Sequence, residues 1–172
     1  MKNLEKDKFE KLLEIVQNYP NIRIAHFTES GEAMIEILNN FCKKNLYEYH
    51  INCTKSAFYD EILIKYGENK HIYPINFKLS RPRYMMQGRL YEYLFVSSTV
   101  SKEERSSFIQ KCHPIIKNAG NILIFLQKES YQERSHWISL LEEHNYVATN
   151  TIDDLFENYD LIISKKMHGW GG

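Results

Sequence analysis

The sequence predicts an α/β domain: a doubly wound, mostly parallel sheet with helices on both faces and an antiparallel strand pair at its C-terminal end. Three observations carry this. Short apolar segments alternate with helix-like amphipathic patterns from Ile22 to Glu143. Asn121 to Gln127 reads as a continuous apolar strand, which a central parallel position buried on both faces requires. The last two apolar segments follow one another with no helical pattern between them, so they pair as antiparallel neighbours.

In chain order, Leu4, Leu12, Leu13, Ile15 and Val16 recur at helical spacing among Lys and Glu until Asn18 to Pro20 break the pattern, giving an amphipathic helix over residues 1–20. Ile22 to Phe27 is the first strand, Ser30-Gly31 a turn with Ser30 placed to cap, and Glu32 to Lys44 a helix. Tyr47 to Cys53 is the second strand, Lys55 to Tyr66 a helix closed by Gly67, and Ile72 to Leu79 the third strand. After an irregular stretch from Ser80 to Gly88, Tyr91 to Ser97 is the fourth strand. Ser101 and Glu104 stand at capping-box spacing before a helix that runs toward Asn118-Ala119-Gly120, with Pro114 placed to kink or shorten it. Asn121 to Gln127 follows, then a helix over Ser130 to Glu143 and the closing strands Asn145 to Thr151 and Tyr159 to Lys165. The domain therefore spans residues 21–167, and residues 168–172 form a tail.

Bulk properties narrow the function classes. A chain of 172 residues with 43% hydrophobic and 13% aromatic residues supports one sizeable core. Twenty-two basic residues balance 22 acidic ones, so no global field draws the chain to nucleic acid or an anionic membrane. The three cysteines are widely spaced and odd in number, which fits reduced thiols. A charged N-terminus, and the lack of any apolar run near the ~20 residues a bilayer demands, predict a cytoplasmic protein with no membrane span. No two of the seven histidines stand at i, i+3 or i+4, so no metal site is expected. No nucleophile elbow or phosphate-binding Gly-x-x-x-x-Gly-Lys loop occurs.

The segment Cys112-His113-Pro114-Ile115-Ile116-Lys117-Asn118-Ala119-Gly120-Asn121-Ile122-Leu123-Ile124 resembles the helix, Lys-Pro-Gly-Gly type turn and fifth strand of class I S-adenosylmethionine-dependent methyltransferases. His136-Trp137 to Tyr146-Val147 resembles the helix and sixth strand that follow in that family. The resemblance extends over residues 21–167 in element order and implies a Rossmann-like fold of methyltransferase type. It also implies a cofactor loop after the first strand, which here reads Ala25-His26-Phe27-Thr28-Glu29-Ser30-Gly31-Glu32-Ala33. Of the family's Gly-x-Gly-x-Gly only Gly31 is kept; Phe27 and Glu29 stand at the other glycines and Ala25 at the acidic position. Phe27 and Glu29 would then fill volume that S-adenosylmethionine needs, and Glu29 would set a negative charge beside the cofactor's carboxylate. The acidic residue that holds the ribose hydroxyls is replaced by Asn52, or by Cys53 in the adjacent register, and the fourth strand ends in Ser97-Ser98-Thr99.

The expectation is a methyltransferase-like protein with atypical or lost S-adenosylmethionine binding. Phe27, Glu29, Ser30, Gly31, Asn52, Cys53, Ser97 and Ser98 would surround its cofactor site, and no catalytic residue is assigned. The alternative is a non-catalytic module of the same fold that binds a protein partner, for which the tail with Trp170 between glycines is one candidate contact. Arg81, Arg83 and Arg89, interleaved with Tyr84, Met85 and Met86, form a small patch able to grip phosphate or stack a base; zero net charge favours a solvated loop or protein contact over nucleic acid.

Overall fold

The computed structural model describes residues 4–84, 90–128 and 131–167. Helix α1 (Lys6–Leu12) continues into a 3-10 turn (Leu13–Ile15). Strand β1 (Arg23–Thr28), helix α2 (Glu32–Asn45), β2 (Glu48–Cys53), α3 (Ser56–Tyr66), β3 (Ile72–Asn76) and β4 (Tyr91–Val96) follow. The chain then forms α4 (Arg105–Cys112), a 3-10 turn (His113–Ile115), β5 (Ile116–Gln127), α5 (Tyr131–Glu143), β6 (Tyr146–Ile152) and β7 (Tyr159–Lys166).

All seven strands join one sheet in the order β3-β2-β1-β4-β5-β7-β6. The first five are mutually parallel, and β7 lies antiparallel between β5 and β6. The predicted architecture is thus the observed one. Strand order reverses between β1 and β4, and at such a switch point the loops leaving the two carboxyl ends diverge and open a crevice.

Alternation along the strands splits the core in two. On one face Ile24, Tyr49, Ile51 and Phe95 meet helices α1 and α2, and Phe9 of α1 packs edge-on against Phe95 and Phe125. On the other, Phe27, Leu94 and Ile124 meet Phe108 and Ile109 of α4 and Trp137 of α5. The N-terminal helix is therefore part of the domain's core, with Phe9 fully buried.

Several local expectations fail for identifiable reasons. Ser30 does not cap α2: Gly31 holds the N-cap in the left-handed region (φ 98°), and the Ser30 carbonyl instead accepts a bond from the Thr28 hydroxyl. Gly67 closes α3 as expected, in a right-handed conformation (φ −61°), while Leu46, after α2, turns left-handed. Ser101 and Glu104 do not form a capping box; the Ser101 hydroxyl donates to the Glu104 carboxylate in a turn that precedes α4. Pro114 ends that helix early, since it has no N–H to give the helical ladder. Asn118-Ala119-Gly120 is consequently not a turn after a helix but a bulge inside β5. Tyr91 pairs with Ile116 and Tyr93 with Asn121, so β5 carries extra residues there, with Ala119 at φ 64°. Ser130, the expected start of α5, lies outside the described residues.

The bulge explains Gly120. A Cβ there would sit 2.7 Å from Ile116 Cγ2, 2.9 Å from the Lys117 carbonyl and 3.0 Å from that of Glu92. Gly120→Ala should lose about 1–3 kcal/mol in urea denaturation through this overpacking, with an unchanged dependence on denaturant concentration.

Candidate functional site

The crevice at the switch point is a cavity of about 410 Å³. Its rim comes from the loops after β1 (Glu29, Ser30) and β4 (Ser97 to Val100), and its wall from the end of β5 (Ile124 to Gln127) with Arg105, Trp137 and Tyr159. Four of the eight residues singled out in the sequence, Glu29, Ser30, Ser97 and Ser98, line this cavity. The other four do not.

Phe27 is fully buried on the α4 face, with ring centroids 5.0 Å from Phe77, 5.6 Å from Tyr84 and 5.4 Å from Phe108. Its side chain leaves the crevice and anchors the core, so of the two bulky replacements only Glu29 stands at the mouth. Gly31 serves the start of α2. Asn52 and Cys53 are fully buried inside the sheet, in register with Phe27 and Thr28. Neither amide atom of Asn52 has a partner. Burial pushes the Cys53 thiol up to about 12, which leaves it protonated and inert.

Glu29 is tied down from both sides. One carboxylate oxygen accepts the Thr99 hydroxyl at 2.7 Å, and the other lies 3.2 Å from the Lys55 ammonium. Burial works to raise the carboxyl, but the Thr99 hydroxyl and the Lys55 ammonium outweigh it and hold the group below its usual range. Glu29 thereby clips together the loops leaving β1, β2 and β4. On the opposite wall Arg105 stacks over the Trp137 ring at 5.0 Å and pairs with Glu133.

Sequence reasoning missed the group behind the rim. His26, in the middle of β1, is fully buried; its Nδ1 lies 2.8 Å from the Tyr49 hydroxyl and its Nε2 2.7 Å from Ser97 Oγ. The available signal was a polar residue within the apolar run Ile24 to Phe27. Tyr49 is invisible as its partner until the sheet registers β1 beside β2.

The arginine patch is not assembled among the described residues. Arg81 stacks on Phe77 and donates to the Asn76 carbonyl, while Arg83 lines a separate cavity with Tyr84 and Lys111. Arg89, Met85, Met86 and the Trp170 tail lie outside the described residues. Among the described residues no helix is long and apolar enough to cross a membrane.

The fold, with strand order 3-2-1-4-5-7-6, agrees with solved structures across nearly the whole chain. The citrinin polyketide synthase CMeT domain superposes with a TM-score of 0.73 at 12% identity, over 93% of this chain and 50% of that one. The chain has the fold of class I S-adenosylmethionine-dependent methyltransferases. N-methyltransferase NodS from Bradyrhizobium japonicum WM9 matches with a TM-score of 0.67 at 11% identity, over 95% of this chain and 97% of NodS. Human N-acetylserotonin methyltransferase, solved in complex with S-adenosylmethionine, matches with 0.66 at 8% identity, over 95% and 55%. The chain thus spans about half the length of two of these methyltransferases and almost all of the third. No protein-family model matches the sequence, and comparison with curated proteins finds no match.

His26 makes the methyltransferase fold here sensitive to acid. Burial lowers its pKa from 6.5 to about 3. The unfolded chain therefore binds a proton near pH 6.5 that the folded chain refuses until about pH 3, and stability falls as pH drops through that window. Between pH 7.5 and pH 5 the His26 contribution should cost about 2 kcal/mol. Urea denaturation at both pH values checks this, and His26→Gln should show a smaller pH dependence by that amount.

Proposed function

We propose that this chain is a methyltransferase-fold protein that binds a small molecule at the β1/β4 crevice and has lost ordinary S-adenosylmethionine binding. The observation that carries the reading is the Glu29 clip. A cofactor laid over the β1 loop needs bare backbone, and a side chain fixed there takes the volume it would occupy. Here the Glu29 side chain spans that loop, neutralised by Lys55 and fixed by Thr99. The second strand adds no compensation: Asn52 and Cys53 are sealed in the sheet, so neither offers the ribose a bidentate acceptor. The residues at hand do not fit the cofactor in its usual pose, and no methyl-transfer step is assigned to them.

What supports a small-molecule site is the rest of the crevice. Ser97 stands at its rim, the Thr99 hydroxyl is held by Glu29, and buried Val100, Ile124 and Trp137 close the wall behind. A concave site where a few polar groups converge is where a ligand is held.

Isothermal titration with S-adenosylmethionine and S-adenosylhomocysteine tests the reading. Wild type should give no saturable heat up to about 1 mM, the upper end of ordinary substrate constants. Glu29→Gly, which opens the loop without touching the aromatic core, should bind measurably better than wild type. A micromolar dissociation constant for the wild type would remove the proposal.

A further inference from the structure

Ser97 Oγ lies 2.7 Å from His26 Nε2, and Tyr49 stands behind His26 at 2.8 Å, a spacing that suggests a nucleophile, its base and an orienting group. The hydrogen bonds run the other way. Tyr49 is fully buried, and its hydroxyl makes its hydrogen bond to His26 Nδ1. A phenolic proton in a dry core must find an acceptor, since leaving it unbonded costs about 1–3 kcal/mol, and Nδ1 is the acceptor in reach. Nδ1 therefore carries no proton, and the neutral ring holds its single N–H at Nε2. That N–H donates to Ser97 Oγ. With its oxygen already accepting, Ser97 is left with its own O–H, and Ser97 is the member of the chain that lines the crevice. Burial, which lowers the His26 pKa, keeps the ring neutral and the direction of the chain intact.

We propose that Ser97 is a hydrogen-bond donor to a ligand in the crevice, aimed and polarised by the Tyr49–His26 chain, and that the ligand is a small, uncharged molecule with an acceptor oxygen. Three bonds oriented head to tail strengthen one another, so the terminal hydroxyl is a better donor than an isolated serine. The absence of charge on the ligand follows from the rim: Glu29 is already matched by Lys55 and Arg105 by Glu133, so neither has an unmatched charge to offer. Ser97 is not a nucleophile in this arrangement, because Nε2 holds a proton and has no lone pair to take another. The inference stands on the hydrogen-bond chain and the cavity, independently of whether the adenosyl cofactor binds.

The tautomer is measured directly by long-range ¹H–¹⁵N NMR of the histidine rings in the full chain. His26 should be in the Nε2–H form, and Tyr49→Phe, which removes the phenolic donor, should let the Nδ1–H form appear. Acetophenone and ethylbenzene, alike in shape except for the carbonyl, serve as probes of the crevice. Acetophenone should shift the amides of Ser97 to Val100 and bind about five- to tenfold more weakly to Ser97→Ala. Ser97→Thr should retain that affinity, and ethylbenzene should not distinguish wild type from Ser97→Ala. An Nδ1–H tautomer in the wild type, which needs no variant to fold, would overturn the proposal. So would equal weakening of both probes in Ser97→Ala, or the absence of acetophenone shifts in the crevice.

Discussion

One carbonyl organises the mouth of this sheet. The Phe27 oxygen accepts the backbone N–H of Ser97 at 2.9 Å and that of Ser98 at 3.1 Å, so the last pairing of β1 with β4 is also the point where both chains turn away. That shared bond sets Ser97 on the rim and closes Ser98 behind it. The Phe27 side chain makes the bond rigid, because its ring is locked between Phe77, Tyr84 and Phe108 on the α4 face. Backbone and side chain of one residue thus hold the two halves of the crevice at a fixed separation.

Polar groups around that point are handled in two ways. At the rim, charge is matched by charge: Glu29 with Lys55 and Thr99, Arg105 with Glu133. Inside the sheet, where desolvation is severe, the polar chain stays neutral: burial lowers the His26 pKa and raises that of Tyr49 far above its ordinary value. A neutral chain survives burial because each donor meets an acceptor. Asn52 and Ser98 depart from this: both amide atoms of Asn52 and the Ser98 hydroxyl are buried without a partner. Asn52 stands beside Phe27 in the sheet, close to the crevice but not part of it.

The likeness to methyltransferases lies in strand order, not in side chains. The winding that places β1 beside β4 creates a crevice at the carboxyl ends whatever residues occupy the loops. In this chain Glu29 ties the loop after β1 to those after β2 and β4 at the rim of that crevice. The fold therefore supplies a hollow, and three loops supply the groups at its rim.

The alternating hydrophobic pattern determined the sheet by itself, because a parallel strand buried on both faces admits little but Ile, Leu, Val and Phe. It also marked the two closing strands as antiparallel and the β4 end, with its serines, as part of the mouth. Local capping signals misled at Ser30 and Ser101, where pairing and packing decided the backbone instead, while Gly67 was legible as the end of α3. Pro114 was legible as a break, but the strand that replaced the helix after it, and the bulge at Gly120, depend on contacts with β4. Whether Phe27 fills the crevice or the core was beyond one-dimensional reading, since a shift of one position along a strand exchanges the two faces. The Tyr49–His26–Ser97 chain joins residues 23 and 71 positions apart, and only the registration of three strands brings them within hydrogen-bonding distance. The sequence determined which elements form and how they wind; the tertiary structure decided which face each side chain takes, because that choice rests on neighbours far away in the chain.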